Sequence, residues 1–135
     1  MKALLLRGPG KLVLEEVPIP EISDDEVLVE VKYCGICGAD LKGVAEAILI
    51  PPGTYLGHEF SGVLSKVGKS VEGWKVGDRV VVNPLYMCGN CYACQHGRQS
   101  QCDHVVEHAI GNTPGVEHAG GFAKYHPYST VWRTQ

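Results

Sequence analysis

No apolar run among the 135 residues approaches the ~20 consecutive positions that a membrane-spanning helix needs. The opening Met1-Lys2-Ala3-Leu4-Leu5-Leu6-Arg7 carries too short an apolar stretch for a secretory signal. An excess of positive charge is also missing. Twelve Lys and Arg against 15 Asp and Glu give a formal net charge of −3, which leaves no electrostatic footprint for nucleic acid or an anionic membrane. There is no internal repeat and no low-complexity tract. These absences predict a soluble, cytoplasmic protein with neither nucleic acid nor membrane as its partner.

What is present fits one packed domain. Hydrophobic residues make up 44% and charged residues 20%, so a real core can form and a disordered tail is not expected. Seventeen Gly and 8 Pro exceed the average combined share of ~12% and are scattered, as in a β-rich chain with many turns. Lys2–Leu6 and Leu12–Glu16 flank Gly8-Pro9-Gly10-Lys11, a hairpin signal. Val27–Tyr33 alternates as a strand, with Val27, Val29 and Val31 on one face. A short helix is expected over Ala39–Lys42. Further strands are expected over Glu59–Val67, Asp78–Asn83, Phe122–Tyr128 and Ser129–Arg133. Residues 104–120 read as loop. Many short strands with little helix point to a small barrel or sandwich.

The six cysteines are Cys34, Cys37, Cys88, Cys91, Cys94 and Cys102. An even count could form disulfides, but the reducing compartment and the bunched spacing favour metal binding. Cys88, Cys91, Cys94 and Cys102 fall within fifteen residues and can close around one tetrahedral zinc with no open position, a structural site. Gly89 and Gly97 permit the tight turns. An iron–sulfur cluster is disfavoured. The bacterial ferredoxin run has a short last gap followed by Pro, whereas here the gap is seven residues and Asp103 follows.

Cys37, with His58 and Glu59, forms a second constellation. One thiolate, one imidazole and one carboxylate make a three-ligand zinc site with an open fourth position, which can act as a Lewis acid. The Cys34–Cys37 pair also has the spacing of a thioredoxin-like redox motif. That motif should follow a strand and open a helix in a βαβ context, and no βαβ pattern is visible.

Five segments now carry a joint resemblance: Cys34-Gly35-Ile36-Cys37-Gly38-Ala39-Asp40, Gly57-His58-Glu59-Phe60-Ser61-Gly62, Val76-Gly77-Asp78-Arg79-Val80, the four-cysteine lobe, and Gly120-Gly121-Phe122-Ala123-Lys124-Tyr125. In this order they resemble the zinc-containing medium-chain alcohol and polyol dehydrogenases, over the N-terminal GroES-like catalytic domain. The resemblance implies a mainly β fold, a GroES-like small β-barrel with short helices and a structural zinc lobe at 84–103, spanning residues 1–135. It implies that Cys37, His58 and Glu59 hold a catalytic zinc and that Asp40 orients its ligands. It places a structural zinc on Cys88, Cys91, Cys94 and Cys102. Cys34 matches a position that is not usually a ligand. In the family, zinc polarises the oxygen of a small-molecule alcohol, a proton leaves through a relay, and hydride passes to NAD or NADP.

Three departures qualify that reading. No G-x-G-x-x-G run for a Rossmann domain occurs in the chain, so a nucleotide-binding domain is expected to be absent from it, and the chain alone is expected to be inactive as a dehydrogenase. A third protein ligand found downstream in many members falls beyond Gln135. Ala39 stands where a Ser or Thr usually passes on the alcohol proton, and Lys42 where a His often follows. The alternative from another class is a stand-alone or engineered zinc-binding module. His104, His108, His118 and His126 match no family ligand and are expected to be solvent-facing loop residues. A homo-oligomer is compatible with apolar surface left exposed.

Overall fold

The structure is a computed structural model that describes residues 1–46, 53–83, 88–104, 120–128 and 131–133. Two strands open the chain, β1 (Lys2–Gly8) and β2 (Lys11–Glu16), paired antiparallel with Leu4 opposite Leu14 and Leu6 opposite Leu12. Gly10 takes φ +67° in the tight turn between them, a conformation that suits glycine. Alternation sends Ala3 and Leu5 inward, where they pack with Ala123 in a small apolar cluster. The other side of β1 is knitted to distant chain. Leu4 N donates to the Phe122 carbonyl at 2.8 Å and Leu6 N to the Thr54 carbonyl at 3.0 Å.

The main sheet is built from β3 (Val27–Cys34), β4 (Phe60–Val67), β5 (Arg79–Val82), β6 (Tyr125–Tyr128) and β7 (Val131–Arg133). Their spatial order is β6-β3-β4-β5-β7, and all neighbours are antiparallel. Inward residues of the three central strands, Val27, Val29, Phe60, Leu64, Val80 and Val82, form the larger core. Each fully buried side chain of this kind contributes ~1.5–3 kcal/mol. Pro127 lies in β6 at the sheet edge, the position where a missing N–H costs no ladder bond. Gly62 is required by close approach, because a Cβ there would lie 2.2 Å from the Glu30 carbonyl oxygen.

The expected closed β-barrel is not found. Among the described residues the chain forms a two-stranded and a five-stranded sheet, and the latter is open, with β6 and β7 as its edges. The sheet does curl. Tyr128 and Val131 end and begin those opposite edges, and three residue steps span at most ~11 Å, less than the ~19 Å width of four strand spacings. The Tyr128 hydroxyl donates to the Asn83 carbonyl across that gap. Curling brings the edges near, but no ladder joins them.

Helix α1 (Gly38–Glu46) is longer than the four residues expected. Gly43 reads as a stop in sequence, yet an interior glycine costs only ~1 kcal/mol and the helix is anchored firmly at its start. Strand β6 is shorter than the expected Phe122–Tyr128, beginning at Tyr125; Ser129 and Thr130 of the last expected strand lie outside the described residues. The loop expected over 104–120 falls outside the described residues except at its two ends, His104 and Gly120. Residues 84–87 of the expected zinc lobe also lie outside them.

Candidate metal centres

The register of β3 on β4 creates the first site. Cys34 at the end of β3 faces Phe60 at the start of β4, and Gly35 N donates to the Glu59 carbonyl at 2.8 Å. Residues 35–37 and 57–59 therefore meet just beyond the sheet, although some twenty residues separate them in sequence. The ligand atoms of Cys37, His58 and Glu59 all lie within 4.8 Å of one another. Cys37 and His58 are half-buried and Glu59 is exposed, so the cluster opens to solvent on the carboxylate side.

Asp40 holds this arrangement together. It sits in the first turn of α1 and is 4% exposed. One carboxyl oxygen accepts from Cys37 N at 2.9 Å, capping the helix, and the other accepts from Gly57 N at 3.0 Å. The same Oδ1 lies 3.5 Å from His58 Nδ1. A single buried carboxyl thus ties the cysteine loop to the histidine loop. Gly57 adopts φ +86°, and a Cβ there would lie 2.7 Å from the Phe122 ring and 2.8 Å from Cys34 Sγ. The histidine loop can seat against this wall only as glycine.

Cys34 stands beside the cluster without joining it. Burial pushes its thiol up to about 11, and the charges of Asp40 and Glu59 add to the rise. Cys34 lines, with Asp40, Ile36 and Phe122, a mostly apolar cleft of about 340 Å³ between α1 and the β1–β2 hairpin. Sequence reasoning set Cys34 aside and did not find this cleft. Its walls come from four separate segments, and no local pattern announces it.

The second site is local. Cys91 precedes the short helix α2 (Tyr92–Gln95), and a single 3₁₀ turn (Gln99–Gln101) leads to Cys102. The sulfurs of Cys88, Cys91, Cys94 and Cys102 all lie within 4.8 Å of one another. Cys102 Sγ is 3.6 Å from Cys88 Sγ and 4.0 Å from Cys91 Sγ. Tetrahedral zinc at a Zn–S distance of about 2.3 Å needs sulfurs about 3.8 Å apart, so this donor set fits that ion. All four are free thiols. Backbone N–H groups already point at the sulfurs: Cys91 N lies 3.4 Å from Cys88 Sγ, and His104 N lies 3.4 Å from Cys102 Sγ. The backbone N–H groups of Cys94 and Asp103 bring the Cys91 thiol down to about 6. The Cys88 N–H lowers Cys102. Cys94 is pushed up to about 12 by desolvation and by its Cys91 neighbour. Four thiolates this close repel one another, and a divalent cation relieves that repulsion.

The histidines divide. His104 is exposed, as expected, and His108 and His118 fall outside the described residues. His126 is the correction, because it lies in β6 and is only 4% exposed. It packs edge-on to Phe60 at 4.7 Å between ring centres and against Tyr128 at 5.4 Å. Burial holds its pKa down to about 4, and its Nδ1 has no hydrogen-bond partner. The alternation of a strand turned inward, not the polarity of histidine, decides its place. Among the described residues no helix is long and apolar enough to cross a membrane.

Comparison with known proteins agrees with this geometry. The family model described as the alcohol dehydrogenase GroES-like domain matches residues 23–133. Sorbitol dehydrogenase of Bacillus subtilis is 40% identical over 129 residues, covering 93% of this chain and 35% of that protein. Galactitol-1-phosphate dehydrogenase from Escherichia coli superposes with a TM-score of 0.84 at 34% identity, over 100% of this chain and 38% of the other. A cobalt- and zinc-bound thermostable alcohol dehydrogenase from Pyrobaculum aerophilum gives 0.85 at 33% identity, over 100% and 41%. The chain thus spans well under half the length of these relatives. With sequence and fold agreeing along nearly its whole length, it belongs to the zinc-type alcohol dehydrogenase family and corresponds to the GroES-like part of those larger enzymes.

Proposed function

We propose that residues 1–135 are the metal-binding part of a dehydrogenase that oxidises a small-molecule alcohol or polyol. In this reading Cys37, His58 and Glu59 hold a catalytic zinc, and Cys88, Cys91, Cys94 and Cys102 hold a structural one. The observation that carries it is the convergence of three different donor atoms within 4.8 Å, beside a buried Asp40 that contacts two of their loops. Thiolate, imidazole and carboxylate together suit zinc, and three protein ligands leave one position for substrate. When bound, the ion supplies Lewis-acid polarisation of an oxygen and eases loss of its proton.

The chain's own residues do the rest. With Nδ1 3.5 Å from the Asp40 carboxyl, His58 has Nε2 left for the metal, and the nearby carboxyl favours that direction of the ring. The Asp40 contacts to Cys37 N and Gly57 N keep both ligand loops in place. Glu59, the most exposed of the three, is the ligand best able to give way. Ala39 has no hydroxyl, so a proton leaving the site passes to water and not through that side chain. The hydride acceptor is NAD or NADP, bound by residues other than these, since the 135 residues contain no G-x-G-x-x-G run. Residues 1–135 by themselves are therefore expected to bind metal without oxidising alcohols.

Cobalt(II) substitution tests the metal reading. Two cobalt ions per chain are expected, with thiolate-to-metal absorption from both sites, and Cys37→Ser should remove one ion and the weaker set of bands. A chain that takes a single cobalt, unchanged by Cys37→Ser, would overturn it.

A further inference from the structure

The Cys34-Gly35-Ile36-Cys37 motif is only half used by the metal reading, since Cys37 joins the donor cluster and Cys34 does not. Sequence alone spoke against a redox role, for want of a βαβ pattern. The structure has no βαβ unit here either, since β3 and β4 are antiparallel neighbours, but it does set the two cysteines between a strand end and a helix start. β3 ends on Cys34, and α1, nine residues long, begins directly after Cys37. We propose that Cys34 and Cys37 form a reversible disulfide under hydroperoxide, and that this bond withdraws Cys37 from the metal cluster. The second half of the proposal rests on the metal reading above.

Three observations place the two thiols for this. Gly35 is pinned to Glu59 by its N–H at 2.8 Å, which holds the chain between the cysteines against the donor cluster. Asp40 is a common neighbour: it accepts from Cys37 N at 2.9 Å and lines the same cleft as Cys34. That cleft, about 340 Å³ and open, reaches Cys34 but not Cys37; a small peroxide meets Cys37 from the donor cluster, which opens to solvent beside the exposed Glu59. Both thiols are free and neither is fully buried. Cysteines three residues apart, joined through Gly35 and Ile36, can adopt the ~4.4–6.8 Å between Cα atoms that a disulfide requires, because glycine lets the link turn tightly.

The chemistry balances in two steps. The Cys37 sulfur attacks the terminal oxygen of the hydroperoxide; the O–O bond breaks, Cys37 becomes a sulfenic acid, and the departing oxygen leaves protonated as an alcohol, or as water from hydrogen peroxide. The Cys34 sulfur then attacks the Cys37 sulfur. The S–O bond breaks, and the hydroxide leaves as water with the Cys34 thiol proton. Two thiols are oxidised by two electrons, and one peroxide is reduced. A sulfur held in that bond has no thiolate to offer a metal, so disulfide and metal ligation exclude each other.

The test uses hydrogen peroxide on the metal-depleted and zinc-loaded chain, followed by alkylation, trypsin and mass spectrometry. Cleavage after Lys32 and Lys42 yields one peptide, residues 33–42, that carries these two cysteines and no others. The expected result is a peptide lighter by two hydrogens that resists alkylation, recovers on treatment with dithiothreitol, and forms more slowly in the zinc-loaded protein. In Cys34→Ser and in Cys34→Ala, both checked for an unchanged far-ultraviolet spectrum, the disulfide should vanish and Cys37 should be trapped by a sulfenic-acid reagent. Sulfinic or sulfonic acid at Cys37 without an intrapeptide bond would overturn the proposal. So would a bond from Cys37 to the four-cysteine lobe, or equal disulfide formation with zinc bound at Cys37. Zinc content of the reduced protein, measured in parallel, reports on the metal reading by itself.

Discussion

Removing the Asp40 charge should weaken both the fold and the Cys37–His58–Glu59 site, by amounts the structure sets. The side chain is 4% exposed and accepts from two backbone N–H groups, at 2.9 and 3.0 Å. Asp40→Asn keeps the shape but offers one oxygen in place of two. Its amide must then face either the Cys37 or the Gly57 N–H, donor against donor. A hydrogen bond to a charged acceptor contributes ~1.5–3 kcal/mol, and the orphaned donor adds to its loss. The expected cost is about 2 kcal/mol, a fall in Tm of about 6–10 °C for a domain of this size. Asp40→Ala loses both bonds and should cost about 3–5 kcal/mol, a large share of the ~5–15 kcal/mol that holds a typical domain. Urea titration of the metal-depleted chain reads these values without interference from zinc. The zinc-loaded chain reads the second effect. Loss of an orienting partner lowers metal affinity ~10–100-fold, so zinc at the Cys37 site should weaken by that factor while the four-cysteine lobe is unmoved. An Asp40→Asn variant within ~0.5 kcal/mol of the original, with unchanged zinc affinity, would refute the role given to this carboxyl.

Acid should destabilise the chain through His126. Its folded pKa of about 4 lies below the unfolded value near 6.5, so the folded state resists the proton. Its contribution is full above about pH 6.5 and is lost progressively down to about pH 4, by about 3 kcal/mol in all. His126→Phe should flatten that part of the stability–pH curve measured by urea, and an unchanged slope would exclude His126 as its source. Gly57→Ala should cost about 2–4 kcal/mol, from positive φ and from overpacking against Phe122 and Cys34; urea unfolding checks it. Cys91→Ser should lower Tm more than Cys37→Ser, because a closed four-sulfur site contributes folding energy directly. Equal losses in calorimetry would contradict that division.

Much of this was legible in the sequence, and the successes share a cause. The β1–β2 hairpin and the strands over Val27, Phe60 and Val80 follow from alternation and glycine punctuation, which are local. The four-cysteine lobe is local too, since fifteen residues hold all its donors. The Cys37–His58–Glu59 cluster is not local. Its three residues could be joined only by family resemblance, and the structure gives the physical reason in the pairing of Cys34 with Phe60. The failures concern long-range geometry. Whether five strands close depends on the edges β6 and β7 meeting, and neither strand records that in its residues. His126 was misread because its burial is imposed by Phe60 and Tyr128 from other positions. Helix α1 outran its expected end because the Asp40 cap outweighs one interior glycine.

The most direct test of the account is zinc counted per chain after stripping and reloading, in the original protein and in Cys37→Ser. The account predicts two zinc ions falling to one, with the remaining ion held by Cys88, Cys91, Cys94 and Cys102. One zinc in both proteins would contradict it, and would leave the cysteine lobe as the chain's only metal site.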